Sequence, residues 1–167
     1  APMLPIELSG VTMAVNGVAC GIKSVSQHQI EFVLPIALGS VLEGTKYPFV
    51  VTSNGTKFKG ELLIVPARPD IFTNRVVPGP GGRAQAVNAT NRVHTAEPFN
   101  TQTILIRGGR MVQTVLRVRA TGVANAAAGV FDLRIGDKTI PGAVNESIMV
   151  EPGVFIIDFR LPSNMTG

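Results

Sequence analysis

The sequence is poor in cysteine, histidine and large aromatic side chains. In 167 residues it has one cysteine, two histidines, one tyrosine and no tryptophan. A single cysteine, Cys20, excludes an internal disulfide, so the stability of the chain must come from the burial of apolar side chains. No motif around Cys20 activates its thiol, and we interpret it as a small buried apolar residue.

Long apolar runs and clustered charges are also missing. No stretch approaches the roughly 20 apolar residues of a membrane-spanning helix. Residues 1–5 (APMLP) lack the basic segment and the apolar core of a signal peptide, as a mature secreted chain would. The net charge is +4 and the isoelectric point is about 9.7. The basic residues are nevertheless dispersed, with little aromatic interleaving, and RGGR at 107–110 is interpreted as a turn, so we expect no nucleic-acid partner.

Glycine, proline and β-branched residues are abundant instead. Eighteen glycines and 12 prolines punctuate the chain, which favours many short strands over helices. Residues 29–35 (QIEFVLP) and 154–162 (VFIIDFRLP) both alternate Ile, Phe and Leu with an acid and end at a proline, a pattern typical of a half-buried strand. Upstream of each, residues 11–17 (VTMAVNG) match 131–137 (FDLRIGD). The two matches predict two copies of one β-module.

We therefore predict an all-β fold of two immunoglobulin-like β-sandwich modules. The first module spans residues 1–72, a Pro/Gly-rich linker spans 73–100, and the second module spans 101–167. The predicted strands are 11–15, 18–25, 29–34, 47–52 and 57–65 in the first module, 84–87 in the linker, and 101–107, 111–121, 131–135, 138–144 and 154–161 in the second. Asn16-Gly17, Asn54-Gly55 and Gly108-Gly109 are the predicted hairpin turns.

The two predicted modules differ in which hairpin they contain. The first has a closing hairpin at 47–65, whereas the second has an opening hairpin at 101–121 and no closing one. We therefore expect the modules to be incomplete at the chain ends and to expose sheet edges, which invite pairing with another strand. Self-association through these edges is one predicted interaction.

The same strands and turns resemble a known family. Residues 4–18 (LPIELSGVTMAVNGV) resemble the opening of an uncharacterised immunoglobulin-like (IPT/TIG-like) repeat family at the C-termini of large secreted acidobacterial proteins. Residues 25–35 are similar to its VSPTQINFQVP element, although His28 replaces the usual threonine and Glu31 the usual asparagine. Residues 152–162 (PGVFIIDFRLP) are similar to its PGLDQVNVRLP sequence. The resemblance implies an exported protein and supplies no catalytic residues, because the shared motifs are strands and turns.

The candidate reactive residues form no recognisable site. His28 and His94 lie in different segments, outside any metal-ligand spacing or Ser-His-Asp pattern. Residues 79–82 (GPGG) lack the lysine and the following helix of a phosphate-binding loop. Asp70 and Asp137 stand alone, whereas a calcium loop needs several acids at alternate positions. We therefore expect no metal site and no cofactor.

Asp132 and Asp158 are the carboxylates that could serve glycoside hydrolysis. Both fall on the polar side of alternating strands, where Arg134 and Arg160 are the expected cross-strand partners. We prefer this structural pairing to a catalytic one. Glycosylation sequons, which matter only in a glycosylating host, occur at Asn54, Asn88, Asn145 and Asn164.

These observations favour a non-catalytic function. We expect an exported structural or adhesive module that spaces domains or binds a protein or polysaccharide partner, because strands with polar outer faces and no convergent reactive groups make a scaffold. The alternative is a carbohydrate-binding accessory module of a secreted enzyme. It ranks second because such modules usually expose aromatic side chains on one face. A hydrolase that uses Asp or His ranks third.

Overall fold

The computed structural model describes residues 3–35, 38, 44–65, 67–79, 81–91, 96–124, 131–141 and 147–165. These residues form β-strands and contain no α-helix, so the predicted all-β class is confirmed. The chain divides into two compact units: unit 1 is Ala1–Arg68 with Glu151–Gly153, and unit 2 is Pro69–Val150 with Val154–Gly167. Within the described part of the chain, no helix is long and apolar enough to cross a membrane.

Unit 1 is built from two antiparallel layers. Its strands are β1 (Glu7–Leu8), β2 (Val11–Val15), β3 (Val18–Ala19), β4 (Gly21–Val25), β5 (Ile30–Val33), β6 (Lys46–Ser53) and β7 (Thr56–Leu63). One sheet has the order β1-β2-β6-β7, with β3 also paired to β2, and β4 pairs with β5 separately. Side chains of both layers meet in one core, where Met13 and Val15 of β2 pack near Phe32 of β5. This arrangement is consistent with a β-sandwich.

Two hairpins of unit 1 follow the predicted turns. The backbone has positive φ at Asn16 and Gly17 (49° and 77°) and at Asn54 and Gly55 (48° and 86°). Two successive positive φ angles define the turn whose twist matches the flanking strands, and Asn-Gly is the pair that adopts it most readily. The β6–β7 hairpin has Ser53 opposite Thr56, as the sequence predicted.

Unit 2 is also built from packed sheets. The strands along this part of the chain are β8 (Asp70–Ile71), β9 (Ala86–Asn88), β10 (Gln102–Ile104), β11 (Met111–Gln113), β12 (Val115–Thr121), β13 (Asp132–Ile135), β14 (Lys138–Pro141), β15 (Ile148–Glu151) and β16 (Val154–Arg160). The main sheet has the order β15-β16-β12-β8, with β9 also paired to β12, while β10–β11 and β13–β14 are separate ribbons. Val118 of β12, Phe159 of β16 and Leu133 of β13 share one buried core.

The segment predicted as a linker, residues 73–100, lies within unit 2 where the structure describes it. The boundary between the units falls after Arg68. The Pro/Gly-rich stretch forms a loop that returns on itself, because Asn74 N–H donates to the carbonyl of Arg83 and Arg83 N–H donates to that of Val77. Strand β9 then pairs with β12. Prolines and glycines here form a tight loop at the edge of a sheet.

Candidate binding groove

A buried hydroxyl interrupts the strand predicted over 111–121. Thr114 is fully buried and separates β11 from β12. Its Oγ1 donates to the carbonyl of Asn100 over 2.6 Å and lies 2.7 Å from Oγ1 of Thr103. Because the single hydroxyl proton of Thr114 goes to a carbonyl that can only accept, Thr103 must donate to Thr114.

Asn88 of β9 completes this polar network. Its Oδ1 accepts a hydrogen bond from the backbone N–H of Thr90 (2.9 Å), which fixes the orientation of the amide. Its Nδ2 then donates to Oγ1 of Thr103 over 2.9 Å. The chain of donors therefore runs in one direction from Asn88 through Thr103 and Thr114 to Asn100, a sequence in which each bond polarises the next. It joins β9, β10 and the residue between β11 and β12 into one support.

The groove lies beside this support, entirely within unit 2. Its volume is about 450 Å³, within the range of sites that hold small molecules or parts of a partner chain. Pro98, Phe99, Ile104, Ile106 and Met111 supply apolar side chains, and amides such as Asn91 and Gln102 supply polar groups. Among the described residues that line it there is no charged side chain and no histidine or cysteine.

The β10–β11 hairpin presents apolar side chains at the groove. Ile104 and Met111 are directly opposite each other across the ribbon, so their side chains share a face. Ile104, Ile106 and Met111 are 57%, 66% and 51% exposed. Exposed apolar side chains that adjoin one another in this way mark interaction sites more often than scattered ones do.

The hairpin is held in place at both ends. Its tip is a loop that contains Gly108 and Gly109, with φ angles of 90° and 59°. This loop is longer than the predicted Gly-Gly turn, because Ile104 pairs with Met111 and Leu105 N–H donates to the carbonyl of Arg110. Nδ2 of Asn91 donates to the carbonyl of Ile104, the last paired residue before the loop, over 3.0 Å, and at the base the N–H of Thr114 donates to the carbonyl of Thr101. The apolar face is thus fixed before any partner arrives, which lowers the entropy cost of binding.

Charge near the groove is positive. Arg107 and Arg110 are exposed on the hairpin, whose sequence from 102 to 113 contains no acid. Glu97 adjoins the lining residue Pro98, but its carboxylate lies 3.5 Å from Nη1 of Arg83, so that acid already has a cation beside it. Exposed pairs of this kind are weak, yet they reduce the charge that Glu97 presents to a ligand.

The candidate carboxylates have structural positions, and one predicted partner was wrong. Asp158 is buried, and its two oxygens accept hydrogen bonds from Nε and Nη2 of Arg117 at 2.7 and 2.8 Å. Its partner is therefore Arg117 on β12 and not the predicted Arg160. Arg117 lies directly opposite Asp158 in the ladder, a register that the local pattern of β16 does not reveal. Arg134 donates to the carbonyl of Gly136.

The remaining sequence candidates are not brought together among the described residues. His28 is exposed in the corner between β4 and β5, and its backbone N–H donates to Ser26, while His94 lies outside the described residues. Cys20 is buried, as predicted, and burial raises the pKa of its thiol. Where the structure describes the chain, no cluster of three His, Cys, Asp or Glu residues could hold a metal ion.

The sequons are in different environments. Asn54 and Asn164 are exposed, whereas Asn88 is buried with its amide engaged in the polar network. Asn145 lies outside the described residues. Asn88 therefore offers no acceptor amide on the folded surface, because glycosylation requires an exposed side chain.

Sequence reasoning missed the groove. Residues 88–100 were interpreted as a polar part of a linker, and Thr103 and Thr114 as ordinary strand residues. The useful signal was the run of apolar side chains at Ile104 and Ile106 next to a Gly-Gly turn, where an exposed ribbon would be expected to carry polar residues.

Comparisons of the chain with protein-family models, with curated proteins and with solved structures find no match. The resemblance to the acidobacterial repeat family therefore stays a prediction.

Proposed function

We propose that this chain is a non-catalytic, exported structural or adhesive module, and that it holds a protein partner in the groove of unit 2. The observation that carries the proposal is the preformed apolar face of Ile104, Ile106 and Met111 beside the groove. Three large apolar side chains that are exposed to water lower solubility. A partner that covers them stabilises the complex by roughly 25 cal/mol per Å² of apolar surface buried.

The composition of the groove favours binding over catalysis. Its described lining offers amides, hydroxyls and apolar groups, which hold a ligand by contact and hydrogen bonding. General acid–base or nucleophilic catalysis needs a group that titrates or attacks near neutral pH. Such a group is lacking among the described lining residues.

A protein segment fits the groove better than a polysaccharide. Sugar rings stack on exposed aromatic faces, and Phe99, the aromatic residue in the described lining, is half-buried and packs against the core of unit 2. Aliphatic and thioether side chains instead suit the apolar side chains of a peptide. Methionine in particular adapts its shape to the side chain that it meets.

Selection from a phage-displayed library of random dodecapeptides tests the proposal. We expect peptides that bind the full chain and lose about tenfold or more in affinity when Ile104→Gln and Met111→Gln are combined, since interface anchors of this kind each contribute over 1 kcal/mol. Met149→Gln is the matched control, because Met149 on β15 is 54% exposed, close to the 51% of Met111, and does not line the groove.

The outcomes are distinct. Peptides that bind the double variant as well as the wild type would contradict the proposal. Retention of the chain on insoluble cellulose, chitin or starch, lost in the double variant, would replace it with the carbohydrate-binding alternative.

A further inference from the structure

The charge around the groove constrains the partner further. The lining itself is uncharged among the described residues, whereas the hairpin that forms one wall carries Arg107 and Arg110. The acid nearest in sequence to the lining, Glu97, is paired with Arg83. A ligand seated in the groove therefore meets apolar side chains, amides and hydroxyls, and the loop next to Ile104 and Met111 carries two exposed cations, Arg107 and Arg110.

We propose that the segment held in this groove is a peptide in which apolar side chains are flanked by Asp or Glu. This inference rests on the proposed function. The apolar side chains contact Ile104, Ile106 and Met111, and the carboxylates lie near Arg107 and Arg110. A guanidinium pairs with a carboxylate through two parallel hydrogen bonds, which makes arginine the better cation for this recognition.

The arginines and the apolar residues contribute in different ways. Exposed charges at the rim of an interface mainly raise the association rate and impose specificity, and their effect falls with added salt. Desolvated apolar anchors mainly slow dissociation and are insensitive to salt. Binding is therefore expected to have a salt-dependent part that belongs to Arg107 and Arg110 and a salt-independent part that belongs to the groove.

An anionic lipid surface has related chemistry but fits less well. Lipid-binding surfaces insert protruding apolar groups into the headgroup region, whereas Ile104 and Met111 line a concave groove together with Phe99. A peptide chain enters a concavity of this size, and a flat bilayer does not. The charge on the hairpin alone would not separate the two, so vesicles belong in the test.

Two designed peptides of about twelve residues provide the probe, one with central leucines and phenylalanine flanked by aspartates, the other with the aspartates replaced by lysines. Fluorescence anisotropy is measured with the full chain at about 50 and about 300 mM NaCl. We expect the acidic peptide to bind at least tenfold more tightly than the basic one at low salt. We also expect the combined Arg107→Gln and Arg110→Gln variant to remove most of that preference.

The matched control removes the same net charge elsewhere. Lys57 and Lys59 are exposed on β7 in unit 1, and the combined Lys57→Gln and Lys59→Gln variant is expected to change affinity less than about twofold. Equal binding of the acidic and basic peptides, or equal losses in the arginine and lysine variants, would overturn the inference. Saturable binding to phosphatidylserine vesicles that the acidic peptide does not displace would overturn it too.

Failure of this inference and failure of the proposed function give different results. If Ile104→Gln with Met111→Gln abolishes peptide binding while the arginine variant leaves it unchanged, the groove binds peptides but without acidic preference. If neither variant affects a peptide that binds, the groove is not the site, and the proposed function fails as well.

Discussion

Strands β5 and β16 carry almost the same sequence and have different positions. Residues 30–35 read IEFVLP and residues 157–162 read IDFRLP. In unit 1 this sequence forms a four-residue strand that is half-buried at most. In unit 2 it lies in a seven-residue strand whose residues 157–159 are buried. The motif thus determines that a strand forms and where it ends, while its burial is decided elsewhere.

The difference follows from the strands that pair with each copy. β16 lies between β15 and β12 and pairs with β12 from Val115 to Ala120. β5 pairs, among the described residues, with β4 alone, and its register shifts between Ile22 and Ser24. The upstream copies differ in the opposite sense. In unit 1, β2 lies inside a five-stranded sheet, whereas in unit 2, β13 forms a two-stranded sheet with β14. The aligned stretches therefore have unlike surroundings, and the repeat is a similarity of sequence pattern rather than of environment.

The largest expected difference concerns the shared phenylalanine. Phe159 is buried in the core of unit 2, whereas Phe32 is half-buried at the edge of the core of unit 1. Phe159→Ala is expected to lower the free energy of unfolding of unit 2 by about 3–5 kcal/mol, and Phe32→Ala to lower that of unit 1 by less than about 2 kcal/mol.

Urea unfolding checks this pair of variants. Circular dichroism follows both units, and the fluorescence of Tyr47, the chain's single tyrosine, which packs on the core of unit 1, follows unit 1. Equal losses in the two variants would show that the two copies are equally buried and would break the comparison.

The second difference concerns the acid of the motif. Asp158, 7% exposed, is held by two short hydrogen bonds from Arg117, whereas Glu31, 48% exposed, lies 3.8 Å from Lys23. Arg117→Ala leaves a buried carboxylate without its cation and is expected to cost about 3 kcal/mol, at the low end for buried pairs because Arg117 itself is 40% exposed. Lys23→Ala is expected to cost at most about 1 kcal/mol.

Thermal unfolding of both variants provides the measurement. Arg117→Lys is the control, since lysine keeps the charge but loses the paired hydrogen bonds, and it should recover only part of the loss. The hydrogen bonds to Asp158 raise the pKa of Arg117 above its already high ordinary value. A base with a raised pKa contributes its stability below that pKa, so the effect of Arg117→Ala should not change between about pH 7 and 10. A marked decrease over that range would contradict the pairing.

The smallest expected effect concerns Cys20 in unit 1. Burial raises the pKa of its thiol, and the side chain is inaccessible, so Ellman's reagent should label it only when unit 1 opens. Because the raised pKa favours the neutral thiol in the folded state, stability should be unaffected below the unfolded pKa of about 8.5 and should fall slightly above it. Cys20→Ala should lose this decrease. Labelling as fast as that of glutathione would show that the core of unit 1 is open.

Features set by neighbouring residues could be predicted from the sequence. The Asn16-Gly17 and Asn54-Gly55 turns and the alternation of β2 are local, and the structure has them. The predicted alternation of β16 is not seen, because Ile157, Asp158 and Phe159 are all buried, and the loop after Ile104 is longer than the predicted Gly108-Gly109 turn. The segment predicted as a linker, residues 73–100, lies in unit 2 where it is described. The sequence pattern alone could not show this, because the same breakers build both linkers and tight loops.

Features that depend on contacts between distant residues could not be predicted from the sequence. Asp158 and Arg117 are 41 positions apart in the sequence. Their ion pair depends on the register of β12 and β16, and a one-residue slip of either strand would place the two side chains on opposite faces of the sheet. The groove depends on Asn88, Thr103 and Thr114 meeting across three segments. None of these residues carries a sequence signal of its own, so only the paired sheet reveals the site.

Amide chemical-shift mapping of the full ¹⁵N-labelled chain with the acidic peptide tests the central claim most directly, namely that unit 2 holds a protein segment in its groove. Saturable shifts concentrated between residues 98 and 113, and absent from β6 and β7 of unit 1, are the expected result. Saturable shifts confined to unit 1, or no saturable shifts from either the acidic peptide or the library-selected peptides, would contradict it.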